Sequence, residues 1–436
     1  MSFLERIGLH RKELRAWALY DWANSAFWAT VILIFPFHFA AVANAGQPPA
    51  VASSRYAWST AIAMTIIALL SPLLGAIADY AGAKKKMLFA FLAIGVLATA
   101  AMFFIRSGEW RYAAVVFMLG NIGVAGTIIF YEALLPHVAR ADELDRVSSA
   151  GYSLGYLGSS ILMAVNLAWI QKPEWFGIKD SETGTRLAFL SVAVWWAVFS
   201  IPLFRQVSEP PRPAQTGAAG ASLITIGFTR LGQTFGDLKS YRHAFLMLLA
   251  FLVYNDGIGT IIRMAAPYAA EIGIPANQAA LAMLLVQIVG IGFALLFGVA
   301  ADRFGSKRCI YFALAVYVGI TIYGYFMRTA TQFLMLCLLT GTVMGGAQAL
   351  SRSLFASMIP RHRSAEFFAF FGVFDKFAGI VGPAVFAMVV DATGSSRGAI
   401  LAVMVFFVAG GALLSRVDVA EGQRVARAAE AQAGLA

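Results

Sequence analysis

The chain has 436 residues, 60% of them hydrophobic and only 13% charged, with a formal net charge of +10 and a mean hydropathy of +0.73. A soluble domain carries about a quarter charged residues, so a soluble globular protein is excluded and the class is a polytopic membrane protein. Long unbroken apolar runs exclude a transmembrane β-barrel, whose strands are short and alternating, and leave helices that satisfy their own backbone groups.

The first apolar run opens with YDWANSAF, Tyr20 to Phe27. Ala43-Asn44-Ala45 resembles a signal-peptide cleavage site, but the run before it is too long for an h-region and contains Asp21. It is expected to be the first membrane helix. Each crossing needs about 20 apolar residues. Polar punctuation then gives twelve spans, near 17–43, 56–79, 87–105, 111–135, 147–170, 186–205, 243–268, 277–301, 309–327, 331–358, 366–390 and 396–416. The expected organisation is a six-helix half at 1–205, a cytoplasmic linker at 206–242, a second half at 243–416 and a tail at 417–436. The linker begins SEPPRPAQTGAAGA and then places Ile224, Phe228, Leu231, Phe235 and Leu238 at helical spacing, which predicts an amphipathic surface helix.

An even number of spans puts both termini on one side. That side and the even-to-odd connections hold 22 of the 33 Lys and Arg, against eight on the other side, so both termini are predicted to be cytoplasmic. The bias and anionic headgroups explain the positive charge without a nucleic-acid partner. Cys309 and Cys337 lie at or within apolar runs, imply no disulfide framework and are expected to pack as small apolar side chains.

The two halves repeat. GAIADYAGAKK from Gly75 matches GVAADRFGSKR from Gly298 at an offset of 223; the FYEALLP that ends at Pro136 matches the LFASMIP that ends at Pro360 at 224; Gly151 and Gly158 match Gly372 and Gly379 at 221. Three landmarks near one offset argue for related halves, as in carriers whose halves are related by an axis along the membrane normal. Asp79 and Asp302 fall at the C-terminal ends of their own helices, the unfavourable end of the dipole for an anion. Each needs a partner elsewhere, a basic side chain or another helix's N-terminus, and such a contact can latch the two halves.

The repeated G-x-x-x-D-x-x-G-x-[KR]-[KR] resembles the loop signature of the major facilitator superfamily. The copy with Asp302, Arg303, Gly305, Lys307 and Arg308 is the fuller match; the copy with Asp79, Gly82 and Lys84 has Tyr80 where a basic residue is usual. The resemblance implies that these residues gate the inward face. YDWANSAF, YNDGIGTI from Tyr254, GGAQALSRS from Gly345 and FFGVFDKFAGIVGP from Phe370 narrow the resemblance. Together they resemble the family of autophagy-associated vacuolar amino-acid effluxers and its bacterial relatives, from Trp17 to about Arg397. That implies a secondary carrier in which spans one, four, seven and ten line a central cavity and eleven flanks it.

Seven ionisable residues fall inside the spans: Asp21, Glu132, Asp256, Arg263, Arg352, Asp375 and Lys376. A charge at the bilayer centre costs about 2.5 to more than 10 kcal/mol, so such residues face a cavity or a partner. They occur in spans one, four, seven, ten and eleven, whereas three, six, nine and twelve carry none. Asp256, Thr260 and Arg263 share a face of span seven; Gly341, Gly345, Gln348 and Arg352 share one of span ten; Asn121 and Glu132 share one of span four. Asp375 and Lys376 are adjacent, point about 100° apart and cannot be one another's sole partner. Glu132 and Asp375 depart from the branch's pattern, which has Asn and a small residue there.

The expected machinery is therefore Asp256 as the proton or substrate-ammonium site, with Asn255 and Thr260 beside it. Arg352 and Lys376 neutralise a solute carboxylate or pair with Asp21 and Glu132. Gln348 and Asp375 complete the polar lining, and Asp21 with Asn24 lies near the inner mouth. The competing reading is that these charges are structural ion pairs. No zinc spacing, phosphate loop or nucleophile elbow occurs, so neither an enzyme nor a metal or other cofactor is expected. The expectation is a twelve-helix, all-α carrier of the major facilitator fold, monomeric, lipid-embedded in a bacterial inner membrane. It moves a small polar organic solute, with amino acids as one class, driven by protons or by the solute's own gradient. The alternatives are an exporter of drug- or lipid-like solutes and a non-transporting sensor on the carrier fold.

Overall fold

A computed structural model describes residues 2–211, 229, 240–377 and 381–433. The surface helix expected over Ile224, Phe228, Leu231, Phe235 and Leu238 lies outside the described residues. All regular structure among the described residues is helical: α1 (Lys12–Ala43), α2 (Pro49–Ala81), α3 (Lys84–Ala101), α4 (Trp110–Val138), α5 (Leu144–Gln171), α6 (Ser181–Gln206), α7 (Arg242–Glu271), α8 (Ala276–Phe304), α9 (Ser306–Phe326), α10 (Ala330–Ser357), α11 (Ser364–Phe377), α12 (Val381–Thr393), α13 (Ser396–Ser415) and α14 (Val419–Gln432).

Eleven of these are long and apolar enough to cross a membrane. The eleventh predicted span is described as α11 and α12, on either side of 378–380. The expected boundaries hold to within a few residues because polar clusters end each apolar run. Glycines cap several turns where the chain must adopt positive φ, among them Gly82 at 58° and Gly305 at 84°.

Both terminal segments lie against one face, called here the terminal face. Arg146, at the start of α5, donates to the Glu5 carbonyl at 3.0 Å. At the far end of the chain, Gln423 of α14 donates to Ser357 at 3.2 Å, and the Arg361 N–H donates to Glu430 at 2.8 Å. Glu143, just before α5, pairs with Arg11 and His10. Burial pushes its carboxyl up, but the Arg140 N–H and the Arg11 guanidinium outweigh that and hold it below its ordinary value.

Helices with no hydrophobic force between them in lipid associate through close packing, which small residues permit. A Cβ on Gly123 of α4 would lie 2.3 Å from the Gly95 Cα of α3, and one on Gly95 would lie 2.4 Å from the Trp196 ring of α6. Gly123→Ala is therefore expected to force α3 and α4 apart and to cost about 1–3 kcal/mol, as overpacking does. A lowered melting midpoint of the detergent-solubilised protein checks this, with Gly319→Ala, which meets open space, as the silent control.

Candidate functional site

The terminal face is held by two related contacts between the first half, α1–α6, and the second half, α7–α13. In the first, Gly82 turns the chain back at the end of α2, so that Lys84 Nζ lies 2.6 Å from Asp79 Oδ1. The carboxylate also accepts the N–H groups of Ala365 and Glu366, at 3.2 and 2.8 Å. These belong to the first turn of α11, whose N–H groups have no intrahelical acceptor. Asp79 thus leaves the unfavourable end of its own helix dipole for the favourable end of another. Gly75, one turn earlier, lets α2 approach: a Cβ there would lie 2.5 Å from the Ala365 carbonyl oxygen. Ser364 donates to the Ala133 carbonyl at 2.8 Å and touches His137 Nε2 at 3.3 Å, which fixes the α11 start to α4 as well.

The second contact uses the matching residues differently. Gly298 lets α8 approach α5, with a Cβ 2.7 Å from that of Ser149. Asp302 Oδ2, however, meets Arg146 Nε at 3.0 Å and stays 37% exposed. The first turn of α5 holds an acid, Asp145, which accepts from Ser306 at 2.6 Å and from Ser353 of α10. The copy that is fuller in sequence is the looser in space. What closes the first copy is the glycine, the aspartate, Lys84 and the N–H groups at the start of α11, and no basic residue directly follows that aspartate. Arg303 instead lies over the Phe304 ring, Lys307 donates to the Ser415 and Val417 carbonyls near the end of α13, and Arg308 is exposed. The contacts of Arg303 and Lys307 lie within the second half.

Deeper in, Arg352 of α10 enters the first six helices. Its guanidinium lies 3.2 Å from Asp21 Oδ2 and 3.9 Å from Glu132 Oε1, and it donates to the Ser148 hydroxyl at 2.9 Å and the Ser148 carbonyl at 2.8 Å. Three rings surround it, with centroids at 4.5 Å (Tyr152), 4.9 Å (Trp17) and 5.7 Å (Tyr131). Tyr131 donates its hydroxyl to Asp21 at 2.8 Å, and Trp17 donates to the Tyr131 carbonyl at 3.0 Å. Gly151 of α5 leaves the space that Asp21 occupies, since a Cβ there would lie 2.4 Å from its Oδ2. Arg352 is 2% exposed. Asp21 and Glu132, two of the predicted acids, are thus brought together on one cation. Asn24 is buried close by on α1, and its amide nitrogen has no hydrogen-bond partner among the described residues.

A cavity of about 100 Å³ lies between the halves, bordered by Ser71 of α2, Glu132 of α4, Tyr152 of α5, Phe251 of α7, Gln348 of α10 and Asp375 of α11. Asn255 bridges its polar wall, donating to Asp375 Oδ1 at 3.0 Å and accepting from Gln348 at 3.4 Å. Asp256, the first choice in the sequence, is buried and accepts the Gly382 N–H at 2.7 Å, while Thr260 donates to its carbonyl. It borders no part of this cavity. The side chain of Lys376 lies outside the described residues.

Sequence reasoning passed over Trp17, Tyr131, Tyr152, Asp145 and Arg146. Asp145 falls just outside the predicted span and Arg146 reads only as a topogenic charge. A signal existed for Asp145, which matches Glu366 at the repeat offset of 221.

A family model described as vacuole effluxer Atg22-like matches residues 50–427. The chain is 36% identical over 409 residues to an uncharacterized MFS-type transporter, YxiO, of Bacillus subtilis, covering 93% of this chain and 95% of that one. It is 29% identical over 315 residues to autophagy-related protein 22 of Yarrowia lipolytica, covering 66% of this chain and 52% of that one. Among solved structures it resembles the proton:xylose symporter XylE, with a TM-score of 0.69, 15% identity and 97% of each chain covered. It also resembles FucP in the outward conformation, at 0.66 and 14%, covering 94% of this chain and 99% of that one. These likenesses establish the major facilitator fold. The chain is an integral multi-pass membrane protein and a secondary transporter, and it belongs to the Atg22-like vacuole effluxer family of the major facilitator superfamily.

Proposed function

We propose that this transporter carries a small polar organic solute across a bacterial inner membrane by alternating access, with its termini cytoplasmic, and that protons drive it. The observation that carries this reading is the cavity between the halves, walled by Gln348, Glu132 and Asp375 beneath a terminal face held by Asp79 and Arg352. Amides and carboxylates in a largely apolar wall orient a polar solute, and amino acids, with both an ammonium and a carboxylate, are the first class to test.

Asp375 is the proposed proton-linked carboxylate, because it borders the cavity and touches the Gln348–Asn255 pair, so its charge is felt where the solute sits. Asp256 is assigned a positioning role: its bond to Gly382 N–H ties α7 to α12. Proteoliposomes with an imposed pH gradient test both assignments. Asp375→Asn is expected to keep solute counterflow and to lose uphill accumulation and its pH dependence. Asp256→Asn, whose amide oxygen still accepts from Gly382, is expected to keep both. If Asp375→Asn accumulates solute with an unchanged pH profile, the assignment of the proton to Asp375 fails.

A further inference from the structure

The cluster around Arg352 is built like a receptor for an organic cation that happens to be filled by the protein itself. Arg352 comes from α10 of the second half, whereas every acid and ring that holds it, Asp21, Glu132, Trp17, Tyr131 and Tyr152, belongs to the first half. The cage is preformed by contacts within that half: Tyr131 donates to Asp21, Trp17 donates to Tyr131 and stacks on it at 4.5 Å, and Gly151 leaves the pocket for the carboxylate. When the halves separate at the terminal face, as the carrier reading requires, the guanidinium withdraws and the cage stays behind.

We propose that the vacated cage is a binding subsite for an organic cation, a guanidinium or alkylammonium group, and that Arg352 is its tethered competitor. Three ring faces within about 6 Å of the cation centre select a weakly hydrated organic cation, which the ring quadrupoles attract. A planar guanidinium also stacks on rings and pairs with a carboxylate, as Arg352 does here. A hard alkali ion would take oxygen ligands only and would leave the rings unused. Binding of such a cation favours the state open at the terminal face, and return of Arg352 displaces it.

The test uses the full chain in detergent, with n-propylguanidinium as the probe, tetramethylammonium as the ammonium arm and KCl at equal ionic strength as the alkali arm. A site occupied by a competitor most of the time shows an apparent affinity reduced by the fraction of time it is free. In R352A, n-propylguanidinium is therefore expected to raise the melting midpoint with a half-saturation at least about tenfold lower than in wild type, KCl is expected to give no shift, and D21N/R352A to lose the response. If R352A does not fold, R352K serves, since its ammonium leaves the stacking plane empty. A second readout needs no change at Arg352. With Cys309 and Cys337 replaced by alanine, S71C reports the buried cavity wall, and n-propylguanidinium is expected to speed its labelling by an impermeant maleimide added at the terminal face.

Equal effects of KCl and n-propylguanidinium, or a D21N/R352A response equal to that of R352A, overturn the cage. So does unchanged S71C labelling. Solute counterflow by the wild type, measured beside these, separates the cage from the carrier reading on which it rests. Exchange without a guanidinium effect sinks the cage alone, and a guanidinium effect without exchange of any solute sinks the proposed transport cycle alone.

Discussion

Asp79→Ala is expected to open the terminal face. The substitution removes one carboxylate that serves three donors, the ammonium of Lys84 and the N–H groups of Ala365 and Glu366. Lys84 is 3% exposed, so it would be left as an uncompensated buried charge. Breaking one side of such a pair costs about 3–5 kcal/mol. The bonds from the Ala365 and Glu366 N–H groups cross between the halves and exist only in the closed state; a hydrogen bond to a charged group is worth about 1.5–3 kcal/mol, so the population moves toward the other state by about one to two orders of magnitude, at roughly 1.4 kcal/mol per tenfold. Labelling of S71C by an impermeant maleimide from the terminal face, in a background without Cys309 and Cys337, should accelerate at least tenfold. A double variant separates latch from charge. Asp79→Ala/Lys84→Met removes the stranded cation and should recover thermal stability, yet Ala365 and Glu366 remain without their acceptor, so the labelling should stay fast. Labelling that returns to the wild-type rate in the double variant would show that Lys84 and not the α11 start is the latch.

Much of this architecture is legible in the sequence, and the reasons are physical. Lipid demands long apolar helices, so Lys12–Ala43 or Ser306–Phe326 announces itself by hydropathy alone. An internal repeat is visible as matched landmarks, and the dipole argument requires a distant partner for Asp79 before any partner is known. What periodicity cannot give is the partner's identity. Asp79 and the start of α11 are nearly three hundred residues apart, and only the packing of α2 on α11, permitted by Gly75, joins them. The ranking of the two loop copies inverts for the same reason: packing sets the Asp302 carboxylate against Arg146, whereas it sets Asp79 against the start of α11. Depth along a helix does not give direction: Asp256 lies deep on α7 with its carboxylate accepting from Gly382, and the cavity is bordered instead by Ser71, Glu132, Gln348 and Asp375.

The Arg352 cluster predicts an asymmetry that a simple ion pair would not show. Arg352→Ala leaves Asp21 and Glu132 without the cation that they share, and the Tyr131 hydroxyl donates to Asp21. Two carboxylates that had shared one cation then repel, so the cost should lie at the upper end of about 3–5 kcal/mol. Asp21→Asn is milder. Arg352 keeps Glu132 at 3.9 Å, both Ser148 oxygens and three ring faces, and the lost hydrogen bonds to a charged group are worth about 1.5–3 kcal/mol. Asp21→Asn/Arg352→Ala should then be more stable than Arg352→Ala alone, because one of the two stranded carboxylates is gone. The interaction energy of that cycle should fall within about 0.5–3 kcal/mol, the range for residues in one network. Thermal and denaturant unfolding of the four purified proteins measures it. Strict additivity would mean that Arg352 acts on Glu132 and Ser148 and that Asp21 is a bystander. Coupling of the predicted sign would make Asp21, the acid that opens the first apolar run, the main counter-ion of a charged side chain that reaches from the second half into the core of the first.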